Sequence, residues 1–296
     1  MSTNNGSPEV LLVSLSFSLC RQSRQSEEEA QRSEDANNAH RGVCRNSFYY
    51  FQEKVGNKTN DALAELKAYN NAWRSEHKRL TRPWDGDSRL LPAVLSPQYM
   101  NMLSVFKEGY PAVRQAFLEV HPDWKTTAPH RMGALYDAND FPSLAEVAED
   151  LGYDNSMIPL PSAAAFKMLS VITPEVAKEM EESTNSKIAK AFEDGRKQTW
   201  TDLITPVEKI VTTLSKDKAR IFDSLITNLQ DILNLSPAFN LTNDPAMTQF
   251  IEEAKANLAT VNADDLRADP AIRASTCKKA EDILAKFGQL GVRKFS

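Results

Sequence analysis

The stretch from Thr173 to Leu235 constrains the fold more than any other part of the chain, because it predicts two or three consecutive helices. Thr173 is a good N-cap residue, and Pro174 suits the first helical turn, where its missing N–H has no partner to lose. Apolar residues follow at multiples of four, namely Val176, Met180, Ile188 and Phe192. Charged residues lie between them, so the apolar stripe is narrow. A narrow stripe is typical of a helix that contacts one partner, as in a coiled coil or a helical hairpin.

The stripe widens after residue 202, which predicts helices that lie in a core. Its members are Leu203, Val207, Ile210, Val211, Leu214, Phe222, Leu225, Ile226, Leu229, Ile232 and Leu233. A capping side chain followed by proline predicts a helix start at five places, which are Thr173-Pro174, Thr205-Pro206, Ser236-Pro237, Asp244-Pro245 and Asp269-Pro270. At Pro206 the alternative is a kink or tight junction in one continuous helix, and we favour it.

Two segments favour β structure. Residues 10–19 alternate apolar side chains with serine at a period of two, which is typical of a strand. Residues 157–161 are extended and bounded by proline, so they are a candidate partner for that strand at an edge. The predicted fold is therefore mainly α, a multi-helix bundle with long antiparallel helices and a small two-stranded β element.

Composition shifts divide the chain into three parts. We expect an N-terminal strand with a polar, flexible linker over 1–45, a helical region over 46–161, and a helical region with the long helices over 162–296. The last two can also form one continuous domain. Residues 21–42 carry no large apolar side chain, which favours disorder over the alternative of a solvated helix start.

The sequence lacks the motifs of the common enzyme and metal-binding classes. It has only 10 glycines and no Gly-rich phosphate-binding motif, and its three cysteines are far apart. The histidines and cysteines show neither HExxH nor CxxC spacing. A formal net charge of −5 gives no general attraction to nucleic acid or anionic membranes. We expect a cytoplasmic protein without catalysis, cofactor or metal of its own, and with no membrane association.

One helix end is a candidate nucleic-acid contact. A helix is predicted over residues 60–80, and basic residues near two tryptophans follow its last turns. The candidate residues are Arg74, Lys78, Arg79, Arg82 and Trp84. The alternative, which we favour, is a solvated helix end whose cations complement the helix dipole. An aromatic run over 48–51 could stack on bases, but a helix that buries these rings against the core is the favoured interpretation.

Five short blocks resemble an uncharacterised protein family from phages and integrative elements. They are Leu80–Trp84, Gly133–Ser143, Ile158–Pro161, Asn240–Pro245 and Asp265–Pro270. The resemblance covers most of the chain from about Leu80 onward, although the polar stretch 21–42 departs from the helix expected there. Genes of that family commonly lie beside a MoxR-type AAA+ ATPase and a protein with a von Willebrand A domain.

This resemblance implies a non-catalytic accessory or adaptor protein of a phage or mobile element. Its expected partners are the AAA+ ATPase and the von Willebrand A-domain protein, in the cytoplasm of the host cell. Two alternatives stay open. One is a nucleic-acid-binding accessory protein of phage replication or recombination, and the other is a structural or assembly protein of a virion. Self-association into a homo-oligomer also stays open.

Overall fold

The computed structural model describes most of the chain beyond residue 60 and short pieces before it. The described residues are 9–20, 23–25, 31–32, 35, 47–49, 54–55, 58–59, 61–133, 136–139, 141–161, 173–216 and 220–292. Most of the polar stretch 21–42 lies outside these residues, as do Tyr50 and Phe51, so the expectations for them stay predictions.

The described residues are mainly helical, as the sequence predicts. The strands are β1 Val10–Ser18, β2 Ser23–Gln25, β3 Ser47–Tyr49, β4 Lys54–Val55, β5 Lys58–Thr59, β6 Arg82–Pro83, β7 Ser88–Pro92 and β8 Gly152–Pro159. The helices are α1 Asp61–Arg79, α2 Ser96–Met132, α3 Leu144–Asp150, α4 Pro174–Leu214, α5 Ser224–Phe239, α6 Pro245–Asn257, α7 Ala263–Ala268 and α8 Pro270–Val292.

The β element is a four-stranded antiparallel sheet in the order β6-β7-β1-β8, so the prediction of two strands is wrong in number. The predicted first strand is β1, and the predicted extended partner forms the end of β8, which lies next to β1. Their serine hydroxyls meet across the strands, with 2.7 Å between Ser14 Oγ and Ser156 Oγ. The sequence reasoning missed β6 and β7, which form a hairpin around Asp85 and Gly86. Asp-Gly is a strong turn signal because glycine readily takes the positive φ found here, 57° at Gly86.

The secondary structure of residues 47–49 also differs from the predicted one. They form β3, which pairs antiparallel with β2, and Phe48 lies opposite Arg24. The favoured interpretation placed this aromatic run in a helix, so it is wrong for Phe48 and Tyr49, the two members of the run that the structure describes. Aromatic residues are enriched in strands, which is the physical reason that the run fits a hairpin as well as a helix.

Prolines interrupt the helices less than the sequence suggests. Helix α4 continues through Pro206, which is buried, and α5 contains Pro237 within its last turn. The continuous helix that we favour at Pro206 is therefore confirmed, whereas the predicted helix start at Pro237 is wrong. The other three are confirmed, because Thr173 accepts from the N–H of Val176, and α6 and α8 begin at Pro245 and Pro270.

The chain divides into two compact units, each made of separate segments. The terminal unit comprises Met1–Val13, Leu80–Ser96 and Met157–Ser296. Its main apolar core lies among α4, α5, α6, α7 and α8 and includes Trp200, Leu203, Val207, Ile210, Leu229, Phe250 and Phe287. A smaller cluster joins Val10, Leu12, Leu90, Ala191 and Leu241.

The central unit comprises Ser14–Arg79 and Pro97–Ser156. Its core gathers side chains from α1, α2, α3 and the chain just after β1, namely Cys20, Leu63, Leu66, Phe106, Tyr110, Phe117, Trp124, Ala128, Phe141, Val147 and Leu151. Helix α3 begins with a capping box, in which Ser143 Oγ accepts from the N–H of Glu146 while the Glu146 carboxylate accepts from the N–H of Ser143.

Candidate interaction site on helix α4

Helix α4 is the longest described helix, with 41 residues. At a rise of 1.5 Å per residue it extends for roughly 60 Å. Its C-terminal half is held in the core of the terminal unit by Trp200, Leu203, Val207, Ile210 and Leu214. Because this half is fixed by packing, the N-terminal half is presented on a rigid support.

The N-terminal half of α4 exposes two large apolar side chains. Val176 is 43% exposed and Met180 is 39% exposed, and they lie one turn apart on the same face of the helix. We call Val176 and Met180 the α4 patch. Of the apolar stripe that the sequence predicts, Val176 and Met180 are exposed, whereas Phe192 packs against the small apolar cluster. The fully buried positions in this half are Ala177, Ala191 and Gly195, which share a face of the helix next to the face of Val176 and Met180.

Charged side chains surround the α4 patch. Lys178 Nζ lies 3.8 Å from Glu182 Oε1, and both side chains are more than two-thirds exposed. Such an exposed pair contributes little to stability, because water screens it. Apolar side chains ringed by charged ones are typical of a surface that binds another protein.

Polar contacts of Asp244, at the start of α6, hold α4 in place beside the buried half of α4. Asp244 Oδ2 accepts from Trp200 Nε1 at 3.1 Å and lies 3.3 Å from Arg196 Nη1, while Asp244 Oδ1 caps α6 through the N–H of Ala246. Burial alone would raise the pKa of Asp244. The hydrogen bonds from Trp200 and from the N–H groups of Ala246 and Met247 outweigh burial, so the pKa lies below its ordinary value.

Arg82, one of the candidate nucleic-acid residues, is buried, with 4% exposure. Its Nε donates to Thr199 Oγ1 at 3.0 Å, its Nη1 donates to the carbonyl of Thr81 at 3.0 Å, and its Nη2 lies 3.0 Å from Asp202 Oδ2. The guanidinium also stacks over the ring of Phe239, 3.5 Å from the centroid. Burial lowers the pKa of Arg82 to about 10, and the charge of Asp202 opposes this shift. All these contacts are internal, so Arg82 joins β6 to α4.

The other candidate nucleic-acid residues lie in different surroundings. Arg74 is half-buried, and its guanidinium lies 4.9 Å from the centroid of Phe17. Lys78 is exposed, and Arg79 forms two hydrogen bonds to Glu76 one turn earlier. Trp84 packs against the small apolar cluster of the terminal unit. Arg74, Lys78 and Arg79 belong to the central unit, whereas Arg82 and Trp84 belong to the terminal unit.

The described residues contain no group of three or more His, Cys, Asp or Glu side chains placed to hold a metal ion. Each unit has an open cavity at its surface. In the terminal unit a cavity of about 410 Å³ lies beside Asn240, Asn243 and Lys255. In the central unit a groove of about 380 Å³ lies between α1 and α2. Among the helices that the structure describes, none has the length and apolar character needed to cross a membrane.

Comparisons of the chain with protein families, with curated proteins and with solved structures found no match.

Proposed function

We propose that this protein is a non-catalytic adaptor that uses the α4 patch to bind a protein partner. The observation that carries the proposal is the exposure of Val176 and Met180 on a helix whose other half is fixed in a core. Burying two such side chains in a complex removes apolar surface from water and favours association. The rigid support keeps the entropic cost of binding low.

The partners in this proposal are a MoxR-type AAA+ ATPase and a von Willebrand A-domain protein, and the setting is a phage or mobile element. The resemblance of the five sequence blocks supports these identities. The mixed charge around the α4 patch, from Lys178, Glu179 and Glu182, supports a protein partner over a polyanion, because carboxylates would repel phosphate groups.

Co-expression with a MoxR-type AAA+ ATPase and a von Willebrand A-domain protein tests the proposal. We expect the ATPase, the von Willebrand A protein or both to co-purify with the full chain, and Met180→Glu to abolish the recovery. Asn185→Glu is the matched control, because it adds the same charge at an exposed position on the opposite side of the same helix. It should leave recovery unchanged.

Three results would contradict the proposal. The first is recovery of neither partner, and the second is equal loss of recovery with Met180→Glu and Asn185→Glu. The third is co-purification of nucleic acid that is lost with Lys78→Glu, which would move the function to the basic end of α1. Substituting Arg82 is unsuitable for that purpose, because its guanidinium is engaged in internal contacts.

A further inference from the structure

The cavity of the terminal unit lies beside the end of α5 and along one face of α6. The residues of α6 that line it are Thr248, Ile251, Glu252 and Lys255. This spacing places all of them on the same face of the helix. Pro237 of α5 also lines the cavity. Its volume of about 410 Å³ lies within the range of roughly 300–1,000 Å³ that is typical of small-molecule sites.

Hydrogen bonds hold the wall of the cavity in place at Asn240, which directly follows α5. Asn240 Oδ1 accepts from the N–H of Asp244 at 2.7 Å, and its Nδ2 donates to the carbonyl of Asp244 at 3.0 Å and to Thr248 Oγ1 at 3.2 Å. Ile251 is only 5% exposed and belongs to the main core of the unit. The wall is therefore formed before any ligand binds, which lowers the entropic cost of binding.

Two opposite charges of α6 line the cavity without a partner. Within the part of the chain that the structure describes, neither the Glu252 carboxylate nor the Lys255 ammonium forms a hydrogen bond or an ion pair. Residues three apart on a helix have Cβ atoms roughly 5–6 Å from each other, so both side chains reach the same ligand. The adjacent Glu253 differs, because Lys286 and Gln249 donate to its carboxylate. The cavity therefore offers one carboxylate and one ammonium side by side.

We propose that this cavity binds a free α-amino acid with an apolar side chain. The ligand carboxylate accepts from the Lys255 ammonium, the ligand ammonium donates to the Glu252 carboxylate, and the ligand side chain packs against Ile251 and Pro237. Hydrogen bonds between charged groups are stronger than neutral ones, so these two contacts select a zwitterion. A ligand with a single charge is disfavoured, because Glu252 repels an anion and Lys255 repels a cation.

Isothermal titration calorimetry of the full chain with L-leucine and two analogues tests the site. 4-Methylpentanoate lacks the ammonium of leucine, and 3-methylbutylamine lacks its carboxylate. Each analogue should bind at least roughly tenfold more weakly than leucine, because one hydrogen bond between charged groups is lost. Glu252→Gln should remove the preference for leucine over 4-methylpentanoate, and Lys255→Met should remove the preference for leucine over 3-methylbutylamine.

Glu253→Gln is the matched control, because it removes the same charge from the next residue of α6, whose carboxylate binds Lys286. It should leave the affinity for leucine unchanged, and circular dichroism should show the same helix content in all three variants. Absence of binding by leucine, isoleucine, methionine and phenylalanine at concentrations up to about 10 mM overturns the proposal.

Equal affinity for leucine and both analogues also overturns the proposal, as does an equal loss of leucine binding with Glu252→Gln and Glu253→Gln. These titrations use the purified chain without a protein partner, and they do not depend on Met180. Failure of this proposal is therefore distinguishable from failure of the adaptor proposal.

Discussion

Replacing Arg82 tests the conclusion that this residue stabilises the fold. Arg82→Ala removes three polar contacts and the stacking on Phe239, which is itself 2% exposed. Arg82→Met removes the charge but keeps an unbranched chain that can pack on the ring. If Arg82 acts through internal contacts, the two variants should differ in stability.

The expected loss of stability depends on what happens to each hydrogen-bond acceptor of Arg82 when the guanidinium is removed. Removing one partner of a fully buried ion pair costs about 3–5 kcal/mol, because the other charge stays buried. Here the Asp202 side chain is 31% exposed and can be hydrated, and the Thr81 carbonyl still accepts from Arg89 Nη2. Thr199 Oγ1 still donates to the carbonyl one turn earlier. We therefore expect Arg82→Ala to lower the free energy of unfolding by about 2–4 kcal/mol and Arg82→Met by about 1 kcal/mol.

Guanidinium chloride unfolding followed by circular dichroism measures these changes. Hydrogen–deuterium exchange then assigns them to elements, with the expected loss of protection in β6 and around Thr199 in α4. An Arg82→Ala protein within about 0.5 kcal/mol of the wild type at unchanged m-value would refute the reasoning. So would an Arg82→Met protein that is less stable than Arg82→Ala.

Three further substitutions test other contacts. Asn70 is fully buried, and neither of its side-chain amide atoms has a hydrogen-bond partner among the described residues, so Asn70→Leu should raise the free energy of unfolding by about 1–2 kcal/mol in a denaturant titration. Asp244→Asn should lower stability by about 1 kcal/mol at neutral pH. Since the folded pKa of Asp244 is depressed, its contribution is present above the ordinary pKa and is lost as the pH falls through the lowered value, so wild type and variant should converge in acid. Ser143→Ala should cost about 1 kcal/mol in thermal unfolding. Removing the Ser143 hydroxyl should also raise the pKa of Glu146 in an NMR titration, because hydrogen bonds with Ser143 hold that pKa below its ordinary value.

The sequence predicts the helices and β1 well, because each has a clear period. The serine alternation over 10–19 identifies β1, and the apolar spacing around Leu203 and Val207 identifies the buried half of α4. Proline is less informative within these helices. Pro206 is buried next to Ile204 and Val207 of the core, where tertiary packing offsets the missing hydrogen bond.

The candidate sites were harder to predict from the sequence, because the burial of a side chain depends on residues that are far away in the chain. Thr199 and Asp202, which hold Arg82, are more than a hundred residues away in sequence, so a local basic cluster cannot distinguish an internal arginine from a surface one. The first two turns of α4 were misjudged for another reason. The apolar pattern gives weight to large side chains such as Val176 and Met180, whereas Ala177 and Gly195 are small and allow close packing.

The division into units made of separate segments has a consequence for synthesis. The small cluster of the terminal unit joins Val10, Leu12 and Leu90, which are translated early, to Ala191 and Leu241, which are translated late. At 5–20 residues per second, a ribosome needs roughly 8–30 s to pass from Leu90 to Leu241. During that interval Val10, Leu12 and Leu90 of the nascent chain lack the late members of their cluster. Truncation before Leu241 removes a late member of this cluster, and a fragment with only the terminal unit needs linkers in place of Ser14–Arg79 and Pro97–Ser156.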